Sequence, residues 1–89
     1  MAKKRDRFEI IKDILESIMG HRNIRPTRLL HESNLSPQLF KEYIGELKER
    51  DLIREDALKK ERQFVLTSKG TSFLEEYKVF STFIKSFGL

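Results

Sequence analysis

The chain has 89 residues, with 18 lysines and arginines against 14 acidic residues, a net charge of +4, a pI near 9.5 and no cysteine. That length supports a single core, and the missing thiols exclude disulfides, thiol catalysis and cysteine-ligated zinc or iron–sulfur sites. The opening MAKKRDR has no apolar run behind it, and no stretch approaches the ~20 apolar residues of a membrane span, so one cytoplasmic domain without a membrane partner is expected over residues 1–89.

In chain order, residues 1–6 read as a basic arm carrying Lys3, Lys4 and Arg5, with Arg7 just beyond. A first helix is predicted from about Arg7 to Met19. Asp6 and Glu9 stand at capping-box spacing, Phe8, Ile11, Ile14, Leu15 and Ile18 recur at helical spacing, and Gly20 supplies a left-handed stop. The loop HRNIR leads to Pro26, which suits the first turn of a short second helix from Pro26 to Glu32, broken at Ser33-Asn34. Leu35 then plugs the corner. Ser36 caps a third helix with Pro37 at its first position. Leu39, Phe40, Tyr43, Ile44 and Leu47 form its apolar stripe; Gln38, Lys41, Glu42, Gly45, Lys48 and Glu49 form its other face.

Two helices joined by a tight turn, the second amphipathic, make a helix-turn-helix. LIRED and QFVLT follow as short strands around the polar turn ALKKER, a β-hairpin wing with the basic residues Lys59, Lys60 and Arg62. A last helix starts near Thr67 or Ser68. Its Phe73, Tyr77, Phe80, Ile84 and Phe87 are spaced as the seam of a coiled coil, with Leu74 and Phe83 widening the stripe. The expected architecture is therefore α+β and mainly α: three helices and a wing over 7–67, then a long C-terminal helix over 68–89. Ile11, Leu15, Leu29, Leu35, Leu39, Ile44, Leu47, Phe64 and Leu66 are expected in the core.

This order of elements, with NLS in the turn and FVLTSKGTSFLEEY across the last strand and helix, resembles the archaeal winged helix-turn-helix DNA-binding proteins. It is most similar to the small dimeric "10a" group of chromatin-associated or regulatory proteins, over about residues 8 to 80. In that pattern Thr67 caps the last helix and Gly70 lets it pack close to the hairpin. The resemblance implies double-stranded DNA binding by the third helix and wing, and a homodimer through the C-terminal helix. Carried onto this chain, the third helix offers Ser36, Gln38, Lys41, Gly45 and Lys48, and the wing offers Lys59, Lys60 and Arg62.

The residues themselves speak to the same chemistry. Gln38 and Lys41 lie in the part of a recognition helix that enters a major groove, where Gln pairs with adenine and Lys with guanine. Arg22, Arg25 and Arg28 lie where the second helix would cross the DNA backbone. Glu42 and Glu49 leave the third helix face neutral. A monomer would expose Phe80, Phe83, Ile84 and Phe87 as one patch, so Phe73, Tyr77, Phe80, Phe83, Ile84 and Phe87 are expected at a dimer interface. No phosphate loop, nucleophile elbow or paired-carboxylate motif occurs in context, and His21 and His31 read as surface residues, so no enzyme, metal site or cofactor is expected. Two functions stay open: a dimeric DNA-binding regulator or nucleoid protein, and a winged-helix protein-interaction module.

Overall fold

Asp6 opens helix α1 (Arg7–His21): its carboxylate accepts the Glu9 N–H at 2.8 Å and the Glu9 side chain accepts the Asp6 N–H, closing the capping box. The computed structural model describes residues 5–58 and 61–89. After α1 come strand β1 (Asn23–Ile24), helices α2 (Pro26–Ser33) and α3 (Pro37–Glu49), strands β2 (Ile53–Leu58) and β3 (Glu61–Leu66), and helix α4 (Ser68–Ser86). The strands form one antiparallel sheet in the order β1-β3-β2. This is the expected mainly helical winged fold, with a third strand added.

Several local expectations change, among them the turn ALKKER, whose Ala57, Leu58, Glu61 and Arg62 pair within β2 and β3. Helix α1 runs through Gly20 and stops at Arg22, φ 63°, whose N–H bonds the Met19 carbonyl. The stop comes later because the next two residues enter the sheet, Asn23 opposite Val65 and Ile24 opposite Phe64. A two-residue strand is too short to leave a periodic signal, so HRNIR reads as a loop. Phe8 is exposed and Ile10 takes the buried place, because Phe8 lies at the end of α1 beyond the cover of the other helices. Leu39 is exposed as well: it stands about 100° around α3 from Phe40, and the buried face is set by Phe40, Ile44 and Leu47. The remaining core positions hold, with Leu35 and Leu66 half-buried against the cluster and Ile14, Leu15, Ile18, Leu29 and Leu47 almost fully sealed.

The turn and the wing are built by specific backbone devices. Ser33 is buried, donates its hydroxyl to the Leu30 carbonyl at 2.8 Å, and is followed by Asn34 in the left-handed region at φ 57°. Ser36 caps α3 through the Leu39 N–H at 3.2 Å, with Pro37 at the first helical position. Arg5, expected in a free arm, is docked instead. Its guanidinium bonds Asp13 at 2.9 Å and the Ser33 carbonyl at 2.7 Å, satisfying an acceptor at the end of α2. Arg7 ties α1 to Glu46 of α3.

The wing joins α4 through a tight knot. Thr67 donates its N–H to the Leu52 carbonyl at 3.2 Å and its hydroxyl to the Asp51 carbonyl at 2.6 Å, while its Oγ1 accepts the Gly70 N–H at 3.0 Å. A β-carbon on Gly70 would overlap the Leu52 carbonyl oxygen, so only glycine fits there.

Candidate nucleic-acid interface

Burying Phe40, Ile44 and Leu47 turns the opposite side of α3 outward. Gln38, Lys41, Glu42, Gly45, Lys48 and Glu49 are all exposed along it. At Gly45 a β-carbon would meet nothing within 4 Å, so the helix backbone there lies bare. Ser36 sits at the start of this face with its hydroxyl engaged as the cap. Four of the positions expected to touch DNA thus share one surface, Gln38, Lys41, Gly45 and Lys48, with Ser36 at its edge.

The hairpin lies beside the end of that face. Glu55 of β2 accepts from Lys48 of α3 at 3.1 Å and from Arg62 of β3 at 2.5 Å, linking α3 and the hairpin. The register explains the second contact: Arg62 stands opposite Ala57, diagonal to Glu55 on the same side of the sheet. On the other flank Arg25, just ahead of α2, pairs with Glu61 of β3 at 2.8 Å. Arg28 and His21 both reach Glu32, at 3.1 and 3.0 Å. Of these pairs only Arg28–Glu32, an i,i+4 pair on α2, follows from sequence spacing; Arg25 meets Glu61, 36 positions away, because the wing folds back. Lys3, Lys4, Lys59 and Lys60 lie outside the described residues.

The charge pattern has an electrostatic signature. The Arg62 guanidinium and the Lys48 ammonium hold the Glu55 carboxyl down at about 2. Arg28 and His21 likewise lower Glu32, and Arg7 lowers Glu46. A carboxyl held low in the fold adds stability above its ordinary 4.5 and loses it as pH falls through the folded value. Acid unfolding followed by circular dichroism should therefore show stability dropping between about pH 4.5 and about pH 2, and Glu55→Gln should flatten part of that drop. These groups are largely solvated, so each contributes little by itself.

Two further exposed residues belong to this surface, Leu39, which the sequence places in the core, and Arg54, which it does not single out. Leu39, 39 % exposed in the first turn of α3, presents an apolar side chain beside Gln38. Arg54 of β2 is exposed opposite Val65, on the outer side of the sheet. The alternation from buried Ile53 to exposed Arg54 and half-buried Glu55 was the available signal for the latter.

Along α4, Leu74 is buried and Phe73 packs against the core, while Phe80, Phe83 and Phe87 are 61 %, 56 % and 66 % exposed and Ile84 is half-buried. Phe83 and Phe87 pack ring to ring with centroids 5.0 Å apart. A groove of about 840 Å³ between the start of α1 and α4 is lined by Phe8, Tyr77, Phe80 and Ile84 among others, so exposed Phe8 extends the same apolar surface. No helix among the described residues is long and apolar enough to cross a membrane.

Comparison with known proteins agrees with this architecture. The chain is similar to Sso10a-2, a DNA-binding protein from Sulfolobus solfataricus, with a TM-score of 0.78 and 17 % identity over 93 % of this chain and 85 % of that one. It is 33 % identical over 73 residues to an uncharacterized protein of Methanocaldococcus jannaschii, across 82 % of this chain but only 32 % of that relative, so it spans about a third of the relative's length. A family model described as winged helix-turn-helix matches residues 4–85, nearly the whole of the helices, wing and final helix, and the chain belongs to the winged helix-turn-helix family.

Proposed function

We propose that the chain binds double-stranded DNA as a homodimer, as a transcription regulator or nucleoid protein. The observation that carries this reading is the outer face of α3, exposed from Gln38 to Glu49 and flanked on both sides by basic side chains. Gln38 and Lys41 enter the groove to read base edges, and bare Gly45 admits the duplex close to the helix. Arg25, Arg28, Lys48 and Arg62, with Lys59 and Lys60 at the hairpin, contact phosphates. The DNA-binding description of the similar Sulfolobus protein supports the reading. Phe73, Tyr77, Phe80, Phe83, Ile84 and Phe87 pair two copies, with residues 7–67 reading DNA and 68–89 holding the dimer.

Duplex binding measured by fluorescence anisotropy across a salt series tests this. Affinity should fall steeply with salt, each neutralised phosphate contact adding about −0.9 to the log–log slope. Lys59→Ala with Lys60→Ala should weaken all duplexes alike and flatten the slope. Gln38→Ala should change sequence preference instead, by about 1–3 kcal/mol at one base pair. The rival reading, a protein-interaction module, is favoured by one observation: four of the flanking cations are already engaged by carboxylates. A folded protein with no duplex affinity at low salt would establish it.

A further inference from the structure

Glu55 lies between α3 and the wing and bridges one cation from each. One oxygen meets Lys48 Nζ at 3.1 Å and the other meets Arg62 Nε at 2.5 Å. Both cationic side chains are well exposed, at 42 % and 66 %, whereas the carboxylate is 24 % exposed. It is seated on the sheet in register with buried Phe64 while its partners reach out to it.

We infer that Glu55 is an internal counter-anion that weakens backbone binding, so that Lys48 and Arg62 grip DNA only after leaving it. The inference rests on the DNA-binding reading above. The physical argument is one of net charge. Lys48, Arg62 and ionised Glu55 together present +1, and the carboxylate, with an ordinary value of 4.5 that its two partners lower further, is ionised throughout the physiological range. An arriving phosphate therefore finds one compensated charge where two cations stand. Exposed ion pairs are weak, so the cations are released at small cost, yet the freed carboxylate stays beside the phosphate and repels it.

Non-specific binding consists almost wholly of phosphate contacts, whereas base reading by Gln38 and Lys41 lies at the other end of α3. Glu55 thus lowers affinity for every duplex about alike, leaving sequence preference to the base contacts. Glu61 takes Arg25 alone and Glu32 takes Arg28 with His21; of the described pairs on this surface, only Glu55 joins α3 to the wing.

The test is Glu55→Gln, nearly isosteric and able to keep one hydrogen bond. Binding to mixed-sequence duplex is measured from 50 to 200 mM salt, with folding checked by circular dichroism. Removing the charge raises the local total from +1 to +2, so the log–log slope should steepen by about 0.9 and affinity should rise by about tenfold at the low-salt end. The same substitution in a Lys48→Ala, Arg62→Ala background should give a much smaller gain. Unchanged or weaker binding by folded Glu55→Gln, with wild type binding normally, overturns the counter-anion role and leaves DNA binding intact. An equal gain in the double-substituted background also overturns it, since the effect would then be overall charge. If neither wild type nor Glu55→Gln binds duplex at 50 mM salt, the DNA reading itself fails and the inference falls with it.

Discussion

Phe80→Glu combined with Phe87→Glu should give a folded monomer of 10.6 kDa in place of a dimer of twice that mass, with duplex affinity reduced on the order of 10²-fold. Helix α4 has 19 residues, about 28 Å at 1.5 Å per residue, and only its first half is covered by its own chain. Leu74 is buried there, while Val79, Phe80, Phe83 and Phe87 are all more than half exposed. Soluble monomers rarely carry so contiguous an apolar surface. Neither substituted position belongs to the core, so the fold should survive both glutamates. The loss of affinity follows from geometry: a dimer offers two α3 faces to one duplex, and the second binds at high effective concentration. Sedimentation equilibrium decides the first half of the prediction. A wild-type protein that is monomeric at micromolar concentration would remove the dimer from the account.

Gly70→Ala should cost about 2 kcal/mol, lowering Tm by about 10 °C in thermal denaturation, although alanine is the better helix former. The added methyl would run into the Leu52 carbonyl oxygen and press on the Leu66 side chain at 3.1 Å. That carbonyl does not yield easily, because it accepts the Thr67 N–H and sits beside Asp51, itself held at φ 61°. Gly45→Ala is the matched control. With open space around it, the substitution should stabilise by about 1 kcal/mol. If close approach to DNA uses that bare backbone, the same variant should bind duplex less tightly. A neutral Gly70→Ala would mean that wing and helix are less rigidly joined than the Thr67 contacts indicate.

The helices were legible because their signals are local. Asp6 with Glu9, Pro26, Ser36 with Pro37, and Thr67 each mark a helix start within a few residues, and all four starts stand where those residues put them. Asn34 likewise announced the turn. What escaped notice depends on distant partners. Strand β1 exists only because β3 returns to pair with it, and Gly20 was passed over for Arg22 for the same reason. Phe8 and Leu39 were misplaced because helical period identifies a face but not how far the neighbours cover it.

The α3 face followed from amphipathicity, since knowing the buried side of a helix reveals the exposed one. Its electrostatics did not. Lys48, Arg62, Arg25 and Arg28 read as free cations in the sequence, and each meets a carboxylate in the fold. Glu55 could be recognised as the counterpart of Lys48 and Arg62 only once the β2–β3 register placed it diagonal to Arg62 and against the end of α3.

Duplex DNA is expected to bind the outer side of α3, with the start of α2 and the wing. Amide and side-chain NMR shifts of the wild-type protein, followed as mixed-sequence duplex is added at low salt, test it most directly. The largest changes should fall on Gln38, Lys41, Gly45 and Lys48, with Arg25, Arg28 and Arg62 following, while Ile14 and Leu15 in the core stay still. Shifts confined to α4, or no shifts at duplex concentrations well above that of the protein, would contradict it.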